Sequence, residues 1–440
     1  MRKYGIFLFV FLALIAGCSS SSENKEKQKE NHTMTGFWQG KIEIPNQSLA
    51  IELDIKGVKD LTGTISIPVQ GLVNYPLSTI ELTEGQHIVF TMNMQNQLIS
   101  FAGEIKGDAI SGTFTQNGQS FPFQLTKNDK KVVKQEEGNF LEVKTDTGTL
   151  FAELESPEGD GPFPIMIIIP GSGPTDRNGN SIGFSGKNDS LKRLAENLAK
   201  KGIASIRYDK RGVGKNQQAV INESKLRFEE FVHDASLWID KLQSDKRFSK
   251  IGIIGHSQGS LIGMIVAAEQ NIDVFVSIAG AGRTIDKVMY DQLSEQLTDA
   301  ALEEVQRILS KLRKGETVNQ VRDELQAILR PSIQPFLSSW IQYEPTQIIK
   351  TLTIPILIVH GEHDIQVSVR EADALAEANL DATKFIVGRM NHVLKEAPAD
   401  RDQNIQTYTN PDLPLAPGLT EGIIDFLRQV EFINDSTNGK

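Results

Sequence analysis

Six stretches in the second two-thirds of the chain are nearly continuous in apolar residues. They are PIMIIIP (164–170), IASIRYD (203–209), IGIIG (251–255), VFVSIAG (274–280), IPILIVHG (354–361) and TKFIVG (383–388). A strand with one wet face alternates, so runs of this kind belong to a sheet covered on both sides. The covers are legible in the gaps, where apolar residues recur at helical spacing over Leu191–Lys201, Phe228–Leu242 and Gln258–Glu269. LEVKT and LFAELES read as a leading hairpin. The expectation for 138–432 is an α/β fold, a mostly parallel sheet with helices on both faces. In such sheets the chemistry sits in loops at the carboxyl ends of the strands.

The preceding segment has a different period. From Gly36 to Leu125, short alternating runs such as LAIELDI, HIVFTMNM and AISGTFTQ are broken by glycine and asparagine. Period-two alternation at this spacing predicts a small antiparallel all-β domain over 35–126, a barrel or sandwich of about eight strands. It carries no convergent set of nucleophile, base and metal ligands. A charged linker follows at 127–137.

At the amino end, Arg2 and Lys3 precede an apolar run from Ile6 to Ala16 that is too short to span a bilayer and has a secretory layout. The run ends in Ile15-Ala16-Gly17-Cys18, which resembles a bacterial lipobox, and Cys18 is the single cysteine of the chain. Residues 1–18 are thus expected to be a lipoprotein signal with acylation at Cys18, and 19–34 a solvated tether. This implies an exported protein held at the cell membrane by an N-terminal lipid anchor. The net charge of −10, without a basic cluster, argues against nucleic acid as a partner, and none is expected.

Within IGIIGHSQGSL, a buried strand runs into a serine flanked by Gly255 and Gly259, and an apolar helix follows. Glycine-any-serine-any-glycine in a strand-turn-helix context is a nucleophile elbow, in which a strained turn lifts the Ser257 hydroxyl clear of the sheet. A serine hydroxyl is a poor nucleophile near neutral pH, so a base and an orienting group are required. His32, His87, His233, His256 and His360 fall in a tether, a strand, a helix, the elbow itself and a strand end. His392 alone lies in a loop after the last strand, where an imidazole can reach over the sheet. The acid belongs between them in chain order. Asp364 in HGEHD is favoured over Glu362, because the extra residues carry it clear of the strand. His360 and His363 share that loop, but further metal ligands are not identifiable, and no metal is expected.

A tetrahedral intermediate needs main-chain donors. The loop Pro170-Gly171-Ser172-Gly173-Pro174 can supply the Ser172 N–H, and the residue after the nucleophile, Gln258, supplies another. Arg211-Gly212-Val213-Gly214-Lys215-Asn216 has the glycine content of a phosphate loop. It lacks both the leading glycine and the Ser or Thr after lysine that a nucleotide site needs.

GHSQG, PGSGPTDRNGN, YDKRGVGKN, HGEHD and MNHVLKE together resemble the α/β-hydrolases, specifically bacterial serine esterases and lysophospholipase-like or serine-aminopeptidase-like hydrolases. The resemblance spans about 138 to 432. It implies an acyl-enzyme on Ser257, His392 as base and then acid, Asp364 as orienter, and no cofactor. One departure is Pro170, where that family often carries histidine. Between Ala279 and Thr353, Leu302, Val305, Leu309 and Leu312 repeat at helical spacing, as do Val318, Val321, Leu325 and Ile328. A helical cap at about 281–350 is expected, its apolar stripe used for packing. The sequence thus points to a carboxylesterase acting on small to medium acyl esters. A peptidase or lysophospholipase with the same triad, and a cell-surface binding protein with an inactive hydrolase module, are the alternatives.

Overall fold

The computed structural model describes residues 34–434, apart from 45–46, 58–59, 68–71, 84–85, 95–96, 117–118, 129–137, 182–185 and 295. Cys18 and the signal and tether expected over residues 1–33 lie outside the described residues. The chain divides into two compact units, parting between residues 137 and 138.

The first unit is one antiparallel sheet. Its strands are β1 (Gly36–Ile44), β2 (Gln47–Lys56), β3 (Thr62–Ile67), β4 (Leu72–Pro76), β5 (Thr79–Thr83), β6 (His87–Met94), β7 (Gln97–Lys106), β8 (Ala109–Gln116) and β9 (Gln119–Asn128). They lie in the order β4-β3-β2-β1-β9-β8-β7-β6-β5. The two end strands are consecutive in the chain, with only Leu77 and Ser78 between them. Leu77 N–H still donates to Gly63 near the start of β3, and Ser78 N–H already donates to Thr91 of β6. One run of chain therefore changes partner midway and closes the sheet into a barrel, which removes its edges. Counting β4 and β5 as one strand gives eight. Alternate residues point inward: Trp38, Leu53, Ile65, Phe90, Phe101 and Phe123 are buried, and Phe90 stacks on Phe101 at 4.6 Å between centroids. The interior is thus filled by side chains.

Two sequence boundaries shift. Met34, expected in the tether, is fully buried and accepts a hydrogen bond from Trp38 Nε1 (3.0 Å), so the barrel begins there. Lys127 and Asn128, expected in the linker, complete β9 opposite Trp38 and Phe37.

The second unit carries β10 (Phe140–Thr145), β11 (Gly148–Glu155), β12 (Phe163–Ile169), β13 (Ala204–Tyr208), β14 (Phe248–His256), β15 (Val274–Ile278), β16 (Ile356–Gly361) and β17 (Thr383–Val387). The sheet order is β10-β11-β13-β12-β14-β15-β16-β17, and β11 alone runs against the others. Along β12, Ile165, Ile167 and Ile169 enter one apolar core while Met166 and Ile168 enter the other. The first core is covered by α2 (Glu229–Gln243) and α3 (Gln258–Glu269), the second by α1 (Ser190–Ala199) and the C-terminal α11 (Leu419–Gln429). Helix α3 is apolar all round and buried along nearly its whole length, as a helix under a sheet and a further layer must be.

Between β15 and β16 the chain forms α4 (Ile285–Ser294), α5 (Asp299–Arg313), α6 (Gln326–Leu329), α7 (Gln334–Ile341) and α8 (Pro345–Ile349). Val305, Leu309, Leu312, Phe336 and Leu337 join the core shared with α2 and α3. Phe228 stacks on Trp340 at 5.6 Å, and the Phe231 ring meets Phe336 edge-on at 5.9 Å. Val318 and Val321 are buried as expected, but no helix forms there. Gln334 holds that segment as a loop, accepting from Val318 N–H (2.6 Å) and donating to the Val318 carbonyl (2.9 Å). Helical structure starts at Asp323.

After β16 come α9 (Val369–Ala378) and α10 (Arg401–Gln406). No helix among the described residues is long and apolar enough to cross a membrane.

Candidate active site

The chain leaves β12 for β13 on one side and returns to β14 on the other. Such a reversal opens a crevice at the carboxyl end of β12. The turn after β14 flanks it. Ser257 takes φ 54° and ψ −119°, a conformation that L-residues rarely adopt. The flanking glycines make the turn possible, since a Cβ at Gly259 would lie 2.2 Å from the Ile169 carbonyl oxygen and one at Gly255 would lie 2.3 Å from that of Gly259. The main chain is pinned by Ser257 N–H donating to Ile278 O (2.9 Å).

The loop after β12 packs on this turn. A Cβ at Gly171 would sit 3.3 Å from both Ser257 Cβ and His256 Nδ1. Neither Ser172 N–H, in this exposed loop, nor Gln258 N–H, at the start of α3, bonds to another described residue. Gln258 occupies a helix N-terminus, where the peptide dipoles favour negative charge.

His392 lies in the loop after β17. Its Nδ1 donates to Asp364 Oδ2 (2.8 Å), and the Asp364 side chain is fully buried. Oδ1 of Asp364 accepts the N–H groups of Gln366 (2.8 Å) and Val367 (2.9 Å). Burial alone would raise the Asp364 carboxyl. The charge and hydrogen bond of His392, with His360 and the Val367 N–H, outweigh it and hold the group below its ordinary value. Glu362 is exposed and accepts from Arg389 N–H (3.3 Å), away from His392. His360 and His363 diverge, Nε2 of the first meeting Val367 O (2.8 Å) and Nδ1 of the second meeting Ala397 O (2.7 Å).

The His392 loop is tied to the serine turn by the residue before the serine. His256 Nε2 bonds to the His392 carbonyl (2.8 Å), with the two rings 4.9 Å apart. Burial, and then the charge of His392, pull the His256 imidazole down to about 3, so it is neutral at physiological pH. Its Nε2 is then the protonated nitrogen that donates to the carbonyl. Asn391 braces the same loop by donating to Asn404 Oδ1 (3.0 Å) and Thr407 Oγ1 (2.7 Å).

The glycine-rich 209–216 segment is a clasp between loops. Asp209 accepts from Arg177 N–H, Arg177 Nη1 and Lys215 N–H, each at 2.8 Å. Arg211 is paired with buried Asp234 through both oxygens. The arginine of PGSGPTDRNGN thereby fixes the rim of the Ser172 loop.

Residues 182–331 match the family described as serine aminopeptidase, S33. That span contains Ser257 and ends before Asp364 and His392. Esterase EstD of Thermotoga maritima is 32% identical over 239 residues, covering 53% of this chain and 55% of the relative. The match thus spans about half the length of that relative. Solved structures of similar outline include Est1E from Butyrivibrio proteoclasticus (18% identity, TM-score 0.43, 66% of this chain and 99% of that one). Proline iminopeptidase from Mycobacterium smegmatis is another (13% identity, TM-score 0.43, 67% and 99%). The strand order, with the elbow after the fifth strand of the sheet in chain order, decides the fold. The second unit has the α/β-hydrolase fold.

Two side chains of this hydrolase domain carry roles that the sequence did not disclose. His256 was visible inside GHSQG, but its bond to the His392 loop depends on a residue 136 positions away. Lys210 was visible in YDKRG, where a lysine directly after a buried strand is the one available signal. It is buried, and its Nζ donates to Gly171 O (3.0 Å) and Gln258 Oε1 (2.6 Å).

Proposed function

We propose that the chain is a serine hydrolase, and specifically a carboxylesterase cleaving small to medium acyl esters. The observation that carries this is the Asp364–His392 hydrogen bond, in a loop tied directly to the strained turn that presents Ser257. Asp364 fixes the imidazole with Nδ1 protonated, which leaves Nε2 free to accept a proton. In the reaction proposed, Ser257 Oγ attacks the ester carbonyl carbon as His392 Nε2 takes its proton. The carbonyl oxygen becomes an oxyanion facing the Ser172 and Gln258 N–H groups. Collapse expels the alcohol with the proton from His392. Water, deprotonated by the same imidazole, then releases the acid and restores Ser257.

The esterase name of the Thermotoga relative supports the ester reading. The aminopeptidase description of the matched family keeps amide cleavage as the second reading. An aminopeptidase needs a free carboxylate for the substrate amine. Glu371, on α9, and Asp286, in the first turn of α4, are instead bound to Arg283 and Arg313.

A fluorophosphonate probe is expected to label Ser257 and nothing else, and Ser257→Ala to abolish both labelling and turnover. Asp364→Asn should lower kcat by about 10³- to 10⁴-fold and Glu362→Gln by less than twofold. Labelling that persists in Ser257→Ala would overturn the assignment. Aminoacyl amides cleaved faster than p-nitrophenyl acetate and butyrate would establish the peptidase reading. We further propose export and anchoring through Cys18. In that case Cys18→Ser should move the protein out of the membrane fraction, and an unchanged fraction refutes the anchor.

A further inference from the structure

We propose that Lys210 is a positioning residue of the oxyanion hole, setting the direction and separation of the two main-chain donors through its bonds to Gly171 and Gln258. The inference rests on the serine-hydrolase reading and adds a residue to it.

The placement follows from the sheet. β13, β12 and β14 are neighbours in that order. Lys210 leaves the end of β13, Gly171 the end of β12, and Gln258 begins the helix after β14. One side chain on the outer strand thus reaches beneath the central loop to the far one. Its Nζ meets Gly171 O at 3.0 Å and Gln258 Oε1 at 2.6 Å, and it lies 4.2 Å from the centre of the Phe231 ring.

The Gly171 carbonyl and the Ser172 N–H belong to one planar peptide unit, in which the two groups point in opposite directions. A cation bonded to the oxygen fixes the plane of that unit. It aims the N–H away from Lys210 and, by polarising the amide, makes it a stronger donor. Ser172 is exposed on a glycine- and proline-rich loop whose next peptide is held by Thr175 Oγ1 donating to the Ser172 carbonyl (2.7 Å), which leaves the Gly171 carbonyl to Lys210. On the other donor, Oε1 of the same residue is tied down, which holds the first turn of α3 in place. Both donors are therefore referred to one buried point.

The charge balance points the same way. Asp234, the acid that acts electrostatically on Lys210, is already bonded to Arg211 through both oxygens. Burial consequently pulls the ammonium down to about 7, against the smaller opposing pull of Asp234. A buried cation lacking its own carboxylate is costly unless something negative compensates it. The oxyanion that forms across the Gly171–Ser172 peptide is such a charge. As that oxyanion forms it favours the protonated form of Lys210, which stabilises it without touching it, in the transition state and not in the neutral ester.

The test compares the full-length protein with Lys210→Met, which keeps the length of the side chain and removes the charge, and with Gln258→Leu, which keeps the main-chain donor. Substrates are p-nitrophenyl esters, and the transition-state mimic is a trifluoromethyl ketone of matching chain length. Lys210→Met should lower kcat roughly 10- to 100-fold with KM within about twofold, and weaken ketone binding by the same factor as kcat/KM. Gln258→Leu should lose less, and the double variant should be no worse than Lys210→Met alone. If Lys210→Met lacks a cooperative thermal transition, Gln258→Leu carries the same comparison. A folded Lys210→Met with wild-type kcat overturns the proposal, as does a loss that falls wholly on KM. A wild-type chain that neither turns over esters nor reacts with fluorophosphonate overturns the hydrolase reading itself, and this inference with it.

Discussion

Ser257 sits in a conformation that stores strain, and the strain is separable from the chemistry. A non-glycine residue in so sparsely populated a region costs about 1–3 kcal/mol. Glycine adopts φ 54° freely, although its looser unfolded chain takes back about 0.4–1 kcal/mol. Ser257→Gly is therefore expected to be inactive yet more stable than wild type by about 1 kcal/mol. Ser257→Ala, whose Cβ keeps the strain, should be inactive with unchanged stability. Calorimetric unfolding of the two variants side by side checks this. A Ser257→Gly transition below that of Ser257→Ala would show that the turn stores no recoverable strain. The orienting acid belongs to the same scale. Asp364 and Glu362 are two positions apart, but one carboxylate is buried on His392 and the other faces solvent.

The elements that matter most are those whose ends hold the loops. The cap between β15 and β16 is an extension of the core over α2 and α3, so its apolar residues are spent on packing. Its loop segment near Val318 depends on one polar side chain. Gln334 is fully buried, serves both main-chain groups of Val318, and also donates to Leu329 O (2.8 Å). Gln334→Leu matches the volume but strands one N–H and two carbonyls. The expected cost is about 3 kcal/mol, read from urea unfolding. A change below about 0.5 kcal/mol would mean that other groups satisfy the segment. Gln334 bonds to Val318 and Leu329 and to no residue of the triad, so the kcat for the smallest esters should survive in the variant at low temperature.

For the whole molecule, two units with separate cores imply separable folding. The barrel core runs from Met34 to Leu125 and shares no residue with the two cores of the hydrolase domain. A chain beginning at Gly138 is expected to fold and to hydrolyse p-nitrophenyl acetate with kcat/KM within about twofold of full length. Tryptophan fluorescence reports the units separately, since Trp38 lies in the barrel while Trp238 and Trp340 lie in the hydrolase domain. In the full chain the barrel signal, isolated by Trp38→Phe, should be removable without shifting the remaining transition. Insoluble or inactive protein from Gly138 onward would show that the units complete one another. The barrel interior is packed with Phe90, Phe101 and Phe123, so any ligand of that unit must use its outer surface.

The parallel sheet and its helices were determined by the sequence alone, because strands buried on both faces read as unbroken apolar runs and their helical covers as a 3.6-residue repeat. Ser257 was equally legible. Two glycines around a serine at a strand end are a local requirement, and the close approaches at Gly255 and Gly259 occur within that turn and its nearest strand. The barrel was legible as alternation but not as a closed sheet. Closure turns on Leu77 and Ser78 bonding to strands on opposite sides, and β4 and β5 are too short to signal themselves. The second helical stripe misled, since Val318 and Val321 are spaced for a helix yet Val318 is held in a loop by a glutamine 16 residues away. What only the tertiary structure decided is which polar groups meet. Lys210 with Gly171 and Gln258, His256 with the His392 carbonyl, and Arg177 with Asp209 are contacts between loops brought together by neighbouring strands. Hydrophobic burial is non-directional and leaves its period in the sequence, whereas a hydrogen bond between distant loops needs two atoms within about 3 Å and leaves no period at all.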